Sequence, residues 1–294
     1  MSELAVSEEF LSQVELLQLL VQNNVAGLFG GNHKSKSYGS SCEFSDYRDY
    51  MPGDDITKID WHAFARFDKL YLKLFLDERQ LHTRIYIDAS RSMAHGKGKK
   101  DVQAVRLAAA LAYLSISEMD KVSIYLIRNN GLEEIVSNML GKQTYYEQIG
   151  KLNDVVFDGD SYISDAILPS TVGYGDGMSI IISDFLTDHD FEAAIDHLAS
   201  KKRDIFCIQV LSEEELNPKS RGKMHFYDSE NAKNYYRKNI NKDILRAYKD
   251  ALQFVTTRVG DCCRSRGGEY LLLSAEAPLS GVFFDKLTTM GVVK

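Results

Sequence analysis

From residue 82 onward, short apolar runs alternate with helical patterns, and that alternation leaves few folds open. The runs are Thr83 to Ile87, Lys121 to Arg128, Met178 to Ser183, Asp204 to Leu211 and Glu269 to Leu273. Helical patterns cover Val102 to Glu118, Lys142 to Leu152, Tyr162 to Leu168, Phe191 to Ser200, Asp243 to Arg266 and Pro278 to Met290. A strand that is apolar on both sides needs cover on both faces, which a parallel sheet between helices supplies. The expected class is α/β, a doubly wound, mostly parallel sheet. Asn129-Asn130-Gly131 forms a tight turn into Leu132 to Ser137, so this pair is expected as one antiparallel edge hairpin.

The first 81 residues lack that alternation. Residues 7 to 29 read as an amphipathic helix: Ser7 caps it, Glu8 and Glu9 fill the first turn, and Phe10, Leu11, Val14, Leu17 and Val21 recur at helical spacing. Residues 32 to 48 read as irregular. Met51-Pro52-Gly53-Asp54-Asp55 is turn chemistry, Ile59 to Phe67 suits a short helix and Leu70 to Phe75 a strand. The expected organisation is an N-terminal accessory region over 1–81, a helix plus an extended segment, and an α/β domain over 82–294.

Composition excludes several roles. A net charge of -7, from 35 basic against 42 acidic side chains, disfavours nucleic-acid binding, which needs a concentrated basic surface. The cluster Lys97, Lys99, Lys100 reads as solvated loop. Cys42, Cys207, Cys262 and Cys263 show no C-x-x-C spacing, which fits a reduced, cytoplasmic compartment. The N-terminus has no basic stretch ahead of an apolar one, so no signal peptide is expected. The longest apolar run, Leu107 to Leu114, falls far short of the ~20 residues a membrane span needs.

The chemistry concentrates at three loops. Asp88-Ala89-Ser90-Arg91-Ser92 follows the first apolar run of the alternating part, Asp184 ends a later one, and Ser161 precedes a helical segment. Ligands of open parallel sheets bind at the carboxyl ends of strands, so these loops are expected to open on one edge. Oxygen ligands from Asp88, Ser90, Ser92, Ser161 and Asp184 suit Mg²⁺ or Mn²⁺, which favour about six oxygens and often retain waters. With only two carboxylates the ion keeps positive character and attracts a carboxylate from a partner. The alternative is that Ser and Asp at strand-to-helix turns merely cap helices.

Other constellations carry less. The seven histidines show no zinc spacing. Gly173-Tyr174-Gly175-Asp176-Gly177 precedes a strand rather than following one, so it reads as a turn and not a dinucleotide site. No phosphate-binding loop and no G-x-S-x-G nucleophile elbow is present, so no nucleotide is expected. Asp158, Asp160 and Asp165 add acid near Ser161. They keep open a metal-dependent phosphohydrolase, as against a binding module or a metal-free scaffold.

At the three loops the sequence resembles the von Willebrand factor A-like domain and its metal-ion-dependent adhesion site. Asp88, Ser90, Ser92 and Asp184 match the family pattern, and Ser161 stands where that family usually has Thr. Upstream, Gly39 to Asp55, then Ile59-Asp60-Trp61, Ala65-Arg66, and Lys73 with Glu78, look like the signature of the bacterial domain of unknown function 58 family. Within it, Asp46, Arg48, Asp54, Asp55, Asp60 and Arg66 are expected to pair internally, Glu43 to serve as a structural residue of the same signature, and Trp61 as a core anchor. The resemblance implies a non-enzymatic partner of MoxR-type AAA+ ATPases, acting in chaperone-like assembly or maturation of other proteins.

Overall fold

The structure is a computed structural model and describes residues 5–24, 44–75, 81–94, 99–175, 177–218, 222–227 and 235–281. Glu43, Glu78, Cys42, Lys97 and most of the expected closing helix lie outside the described residues. The chain divides into two compact units, one over Gly27–Gln80 and one made of Met1–Ala26 with Leu81–Lys294.

The smaller unit pairs β1 (Phe44–Asp49) antiparallel with β2 (Tyr71–Phe75), Tyr47 opposite Lys73 and Arg48 opposite Leu72. The end of the segment expected to be irregular is thus a strand. A 3-10 turn over Ile56–Lys58 and helix α2 (Trp61–Phe67) lie between the strands. Asp60 organises this unit. Its Oδ1 accepts the backbone N–H groups of His62 (2.9 Å) and Ala63 (3.2 Å) at the start of α2. Its Oδ2 accepts the Tyr47 hydroxyl at 2.7 Å and lies 3.2 Å from the Lys73 ammonium. These partners, Tyr47 foremost, hold its carboxyl well below the usual range. Arg48 pairs with Asp54 at 2.8 Å, and Asp55 caps the 3-10 turn through the Thr57 N–H. Trp61 corrects the expectation of a core anchor: it is 57% exposed, edge-on to Phe64, because Ala63 is the α2 residue turned inward.

In the larger unit, helix α1 (Glu8–Asn24) opens the chain, and it belongs here rather than to an accessory region. Val6, Phe10 and Val14 are buried, the Val6 N–H and C=O both bond the Asn153 amide, and Arg106 Nε donates to the Ala5 carbonyl at 3.0 Å. An apolar stripe of this kind forms a stable helix only where another element covers it.

The sheet runs β3 (His82–Asp88), β4 (Lys121–Arg128), β5 (Gly131–Met139), β6 (Met178–Ser183), β7 (Asp204–Leu211) and β10 (Glu269–Ser274), in spatial order β10-β7-β6-β3-β4-β5. All neighbours are parallel except β4 and β5, the expected edge hairpin. Strands β8 (Gly222–Tyr227) and β9 (Tyr235–Ile240) form a separate hairpin that the sequence did not announce, since neither is a continuous apolar run.

Side chains alternate across the sheet. Tyr86, Ile181 and Cys207 stand level on one face, and pack with α6 (Ile163–Ile167), α7 (Glu192–Ser200) and α9 (Lys242–Ser265). Ile85, Ile87, Ile180, Ile182 and Ile208 point to the other face, which α4 (Lys100–Ser117) covers. Ala104, Ala108 and Ala112 let α4 lie close to the strands. Helix α5 (Gly141–Gln148) continues as a 3-10 turn from Ile149, so the expected single helix over 142–152 tightens partway. Two short helical segments complete the set, α3 (Arg91–Ala94) and α8 (Glu213–Leu216). The architecture is the doubly wound, mostly parallel α/β sheet with one antiparallel edge hairpin that the sequence predicts. No helix among the described residues is long and apolar enough to cross a membrane.

Candidate metal site at the carboxyl edge of the sheet

Strand order reverses at β3: the chain leaves it for β4 on one side and later returns to β6 on the other. The crevice outside the carboxyl ends of β3 and β6 is where such folds bind ligands. Asp88 ends β3 and Asp184 follows β6, and neither has more than 1% of its surface exposed.

Main-chain bonds fix the loops around them. The Gly159 N–H donates to the Ala89 carbonyl (3.1 Å), the Arg91 N–H to the Gly159 carbonyl (2.8 Å), and the Asn129 N–H to the Asp160 carbonyl (3.0 Å). Segment 159–161 is thereby stitched between the loops that follow β3 and β4. Glycine is required at 159, because a Cβ there would stand 2.8 Å from Arg128 Cγ and 3.1 Å from the Asn129 nitrogen.

Within that frame, Asp88 Oδ2 accepts the hydroxyls of Ser161 (2.7 Å) and Ser183 (2.6 Å), and Oδ1 accepts the Ser90 N–H (3.0 Å). Ser90 Oγ lies 3.0 Å from Ser92 Oγ. Burial, reinforced by the nearby negative charge of Asp184, pushes the Asp88 carboxyl up to about 6, against the three hydrogen bonds that favour the carboxylate. After Ser183, Phe185 holds a left-handed φ of 52°, costly for a bulky residue and held by burial against Phe191. The neighbouring Asp184 is buried. Its Oδ1 accepts the Leu186 N–H at 3.0 Å, and its carbonyl accepts Gln209 Nε2, whose Oε1 accepts the Tyr270 hydroxyl.

Asp88, Ser90, Ser92 and Ser161 therefore share one hydrogen-bonded set. The Asp184 carboxylate lies close enough to repel Asp88 but is engaged elsewhere. Lys100 Nζ lies 2.8 Å from Asp184 Oδ2 and 2.7 Å from Glu215 Oε1, with 1% of its side chain exposed. Burial works against its charge, but the two carboxylates outweigh this and raise its pKa. Lys100 corrects the expectation of a solvated lysine loop: it is the first residue of α4 and points into the site. Three participants were thus absent from the expected set, Lys100, Glu215 and Ser183. Ser183 had a sequence signal, since it directly precedes Asp184 at a strand end.

The nearby acids are paired with arginines or exposed. Asp160 pairs with Arg91 at 2.6 Å, Asp158 lies 3.3 Å from Arg128 Nε, and Asp165 is exposed. Beside Ser161, Tyr162 stacks on His189 with ring centres 3.9 Å apart. The donor set of Asp88, Ser90, Ser92 and Ser161 is all hard oxygen and buried or half-buried, which fits a cation such as Mg²⁺. Asp184 fits it only in competition with Lys100.

The chain is similar to uncharacterized protein Mb1516 of Mycobacterium bovis and uncharacterized protein Rv1480 of Mycobacterium tuberculosis. It is 26% identical to each over 223 residues, covering 73% of this chain and 69% of each relative. Among solved structures it is similar to the conserved hypothetical protein BatB from Bacteroides thetaiotaomicron, 15% identical, with a TM-score of 0.43 over 71% of this chain and 98% of that one. It is also similar to the SpRpn10 VWA domain, 10% identical, with a TM-score of 0.41 over 73% of this chain and 97% of that one. Residues 46–255 match the family described as "Protein of unknown function DUF58". That match spans both the Asp60-centred unit and the Asp88 site, and the chain belongs to the DUF58 family.

Proposed function

We propose that this chain is a cytoplasmic, non-enzymatic protein-interaction module that recognises its partner through a divalent cation, Mg²⁺ or Mn²⁺. A von Willebrand A-like fold suggests an interaction module in the first place. The observation that carries the finer reading is Asp88: a fully buried carboxylate at the switch point of the sheet, ringed by the hydroxyls of Ser161 and Ser183 and the Ser90–Ser92 pair. Asp88, Ser90, Ser92, Ser161 and Asp184 would hold the ion. A bound ion would supply net positive charge that attracts a carboxylate from the partner. The chain's own residues orient that contact and exclude water from it.

The commitment of Asp158 and Asp160 to arginines supports binding over hydrolysis, because a two-metal phosphohydrolase needs several carboxylates turned inward. A MoxR-type AAA+ ATPase, or its client, is the partner we propose, in chaperone-like assembly or maturation. Family resemblance supports this choice.

Calorimetry with Mn²⁺ or Mg²⁺ tests the site. The wild-type chain should bind and Asp88→Ala should not; equal binding by both would sink the assignment. Copurification with the ATPase should weaken in EDTA and in Asp184→Ala. Indifference to both leaves a metal-free scaffold.

A further inference from the structure

We infer that Lys100 is a tethered cation that occupies the Asp184 side of the site, so that a divalent ion gains Asp184 only when the Lys100 ammonium lets go. The inference rests on the reading of Asp88 and Asp184 as a cation site and adds how that site is guarded.

Lys100 is unlike an ordinary surface lysine. Its side chain is 1% exposed, a state lysine almost never reaches without paired charges. It opens α4, and the positive end of a helix dipole is an unfavourable place for an ammonium. Local preference therefore does not put it there; the carboxylates of Asp184 and Glu215 do. A divalent ion on Asp88 and Asp184 would meet this ammonium as a like charge at close range, in a site with little water to screen it.

Glu215 gives the lysine somewhere to go. Its Oε2 is fixed by the N–H and hydroxyl of Ser212, at 2.7 and 2.9 Å, so the carboxylate stays in place when Lys100 moves. Its side chain is 26% exposed while that of Asp184 is 1% exposed, so the Glu215 side of the pair is the one that meets solvent. In the ion-loaded chain Lys100 rests on Glu215 alone. The guard thus weakens ion binding and makes it depend on Glu215, without Lys100 itself being an ion ligand.

Two substitutions then act in opposite directions. Lys100→Gln should bind Mn²⁺ at least ten-fold tighter than wild type, with binding lost again when Asp88→Ala is added. Glu215→Gln, which removes the resting place, should bind more weakly than wild type. Equal or weaker binding by a folded Lys100→Gln chain overturns the inference; if binding still disappears in Asp88→Ala, the cation site itself stands. Absence of binding in wild type and Lys100→Gln alike brings down both. Should Lys100→Gln fail to fold, the wild-type chain decides the matter by amine acetylation, read at Lys100 by peptide mass spectrometry. Saturating Mn²⁺ should speed labelling of Lys100 several-fold, and an unchanged rate overturns the inference.

Discussion

Replacing Asp88 with Asn should make the metal-free chain more stable while ending cation binding. The Asp88 carboxyl rises from an ordinary 3.8 to about 6 because it is wholly buried and faces the Asp184 charge. The folded chain then holds this proton more tightly than the unfolded chain, so stability falls as pH rises from about 4 to about 6 and stays low above. At about 1.4 kcal/mol per pH unit, the penalty at pH 8 is about 3 kcal/mol, with no discount for solvent because none reaches the group. Asn keeps the shape and the Oδ1 acceptor for the Ser90 N–H, and the Ser161 and Ser183 hydroxyls can turn to accept from its amide. Urea denaturation in EDTA should find Asp88→Asn more stable at pH 8 by up to about 3 kcal/mol, with about half that gap at pH 5. Mg²⁺ at 100 times its Kd should stabilise wild type by about 2.7 kcal/mol and leave Asp88→Asn unmoved. A variant less stable than wild type at pH 8, or a gap that does not shrink toward pH 5, would refute the picture of a charge held ready for a ligand.

Three further predictions probe other parts of the chain. Gly159→Ala should cost about 1–3 kcal/mol, because its Cβ meets Arg128 and the Asn129 backbone, and should also weaken Mn²⁺ binding by displacing Ser161; a silent variant refutes the stitched-loop geometry. Burial pushes Asp120 up to about 7, with the Leu81 N–H opposing and Glu118 adding to it, so its ionisation destabilises the fold as pH rises from about 4 to about 7. Relative to wild type, Asp120→Asn should gain stability across that window in denaturation at pH 5 and pH 8, and a constant difference would count against the assignment. Trp61 is the chain's only tryptophan and is exposed, so its fluorescence should be red-shifted and readily quenched by iodide, and Trp61→Ala should change stability by no more than about 0.5 kcal/mol. Blue, unquenched emission would place the indole in a core.

The sheet was legible because its strands advertise themselves. Ile85 to Ile87 and Ile180 to Ile182 are apolar on both faces, and their alternation with helical segments points to a parallel sheet covered on both sides. The loops were legible because strand ends carry the hydroxyls and carboxylates. What escaped were effects set by distant partners. Lys100 sits among lysines in the sequence, and its burial depends on Asp184 and Glu215, which lie 84 and 115 residues away. Trp61 looked like core by residue type, but the α2 face turned inward is set by the Asp60 cap and Ala63. Helix α1 showed its apolar stripe plainly, yet nothing local revealed that Asn153 and Arg106 would receive its start. Strands β8 and β9, polar and aromatic rather than continuously apolar, gave periodicity nothing to detect.

The bonds that join Ala89, Arg91 and Asn129 to Gly159 and Asp160 make these loops short continuations of the sheet rather than free connections. A partner docking there, as proposed above, would meet a surface already ordered, so binding would forfeit little conformational entropy and more of the contact energy would survive as affinity. Because main chain does the holding, the side chain at position 161 can change between hydroxyl-bearing residues while the frame around Asp88 stays put.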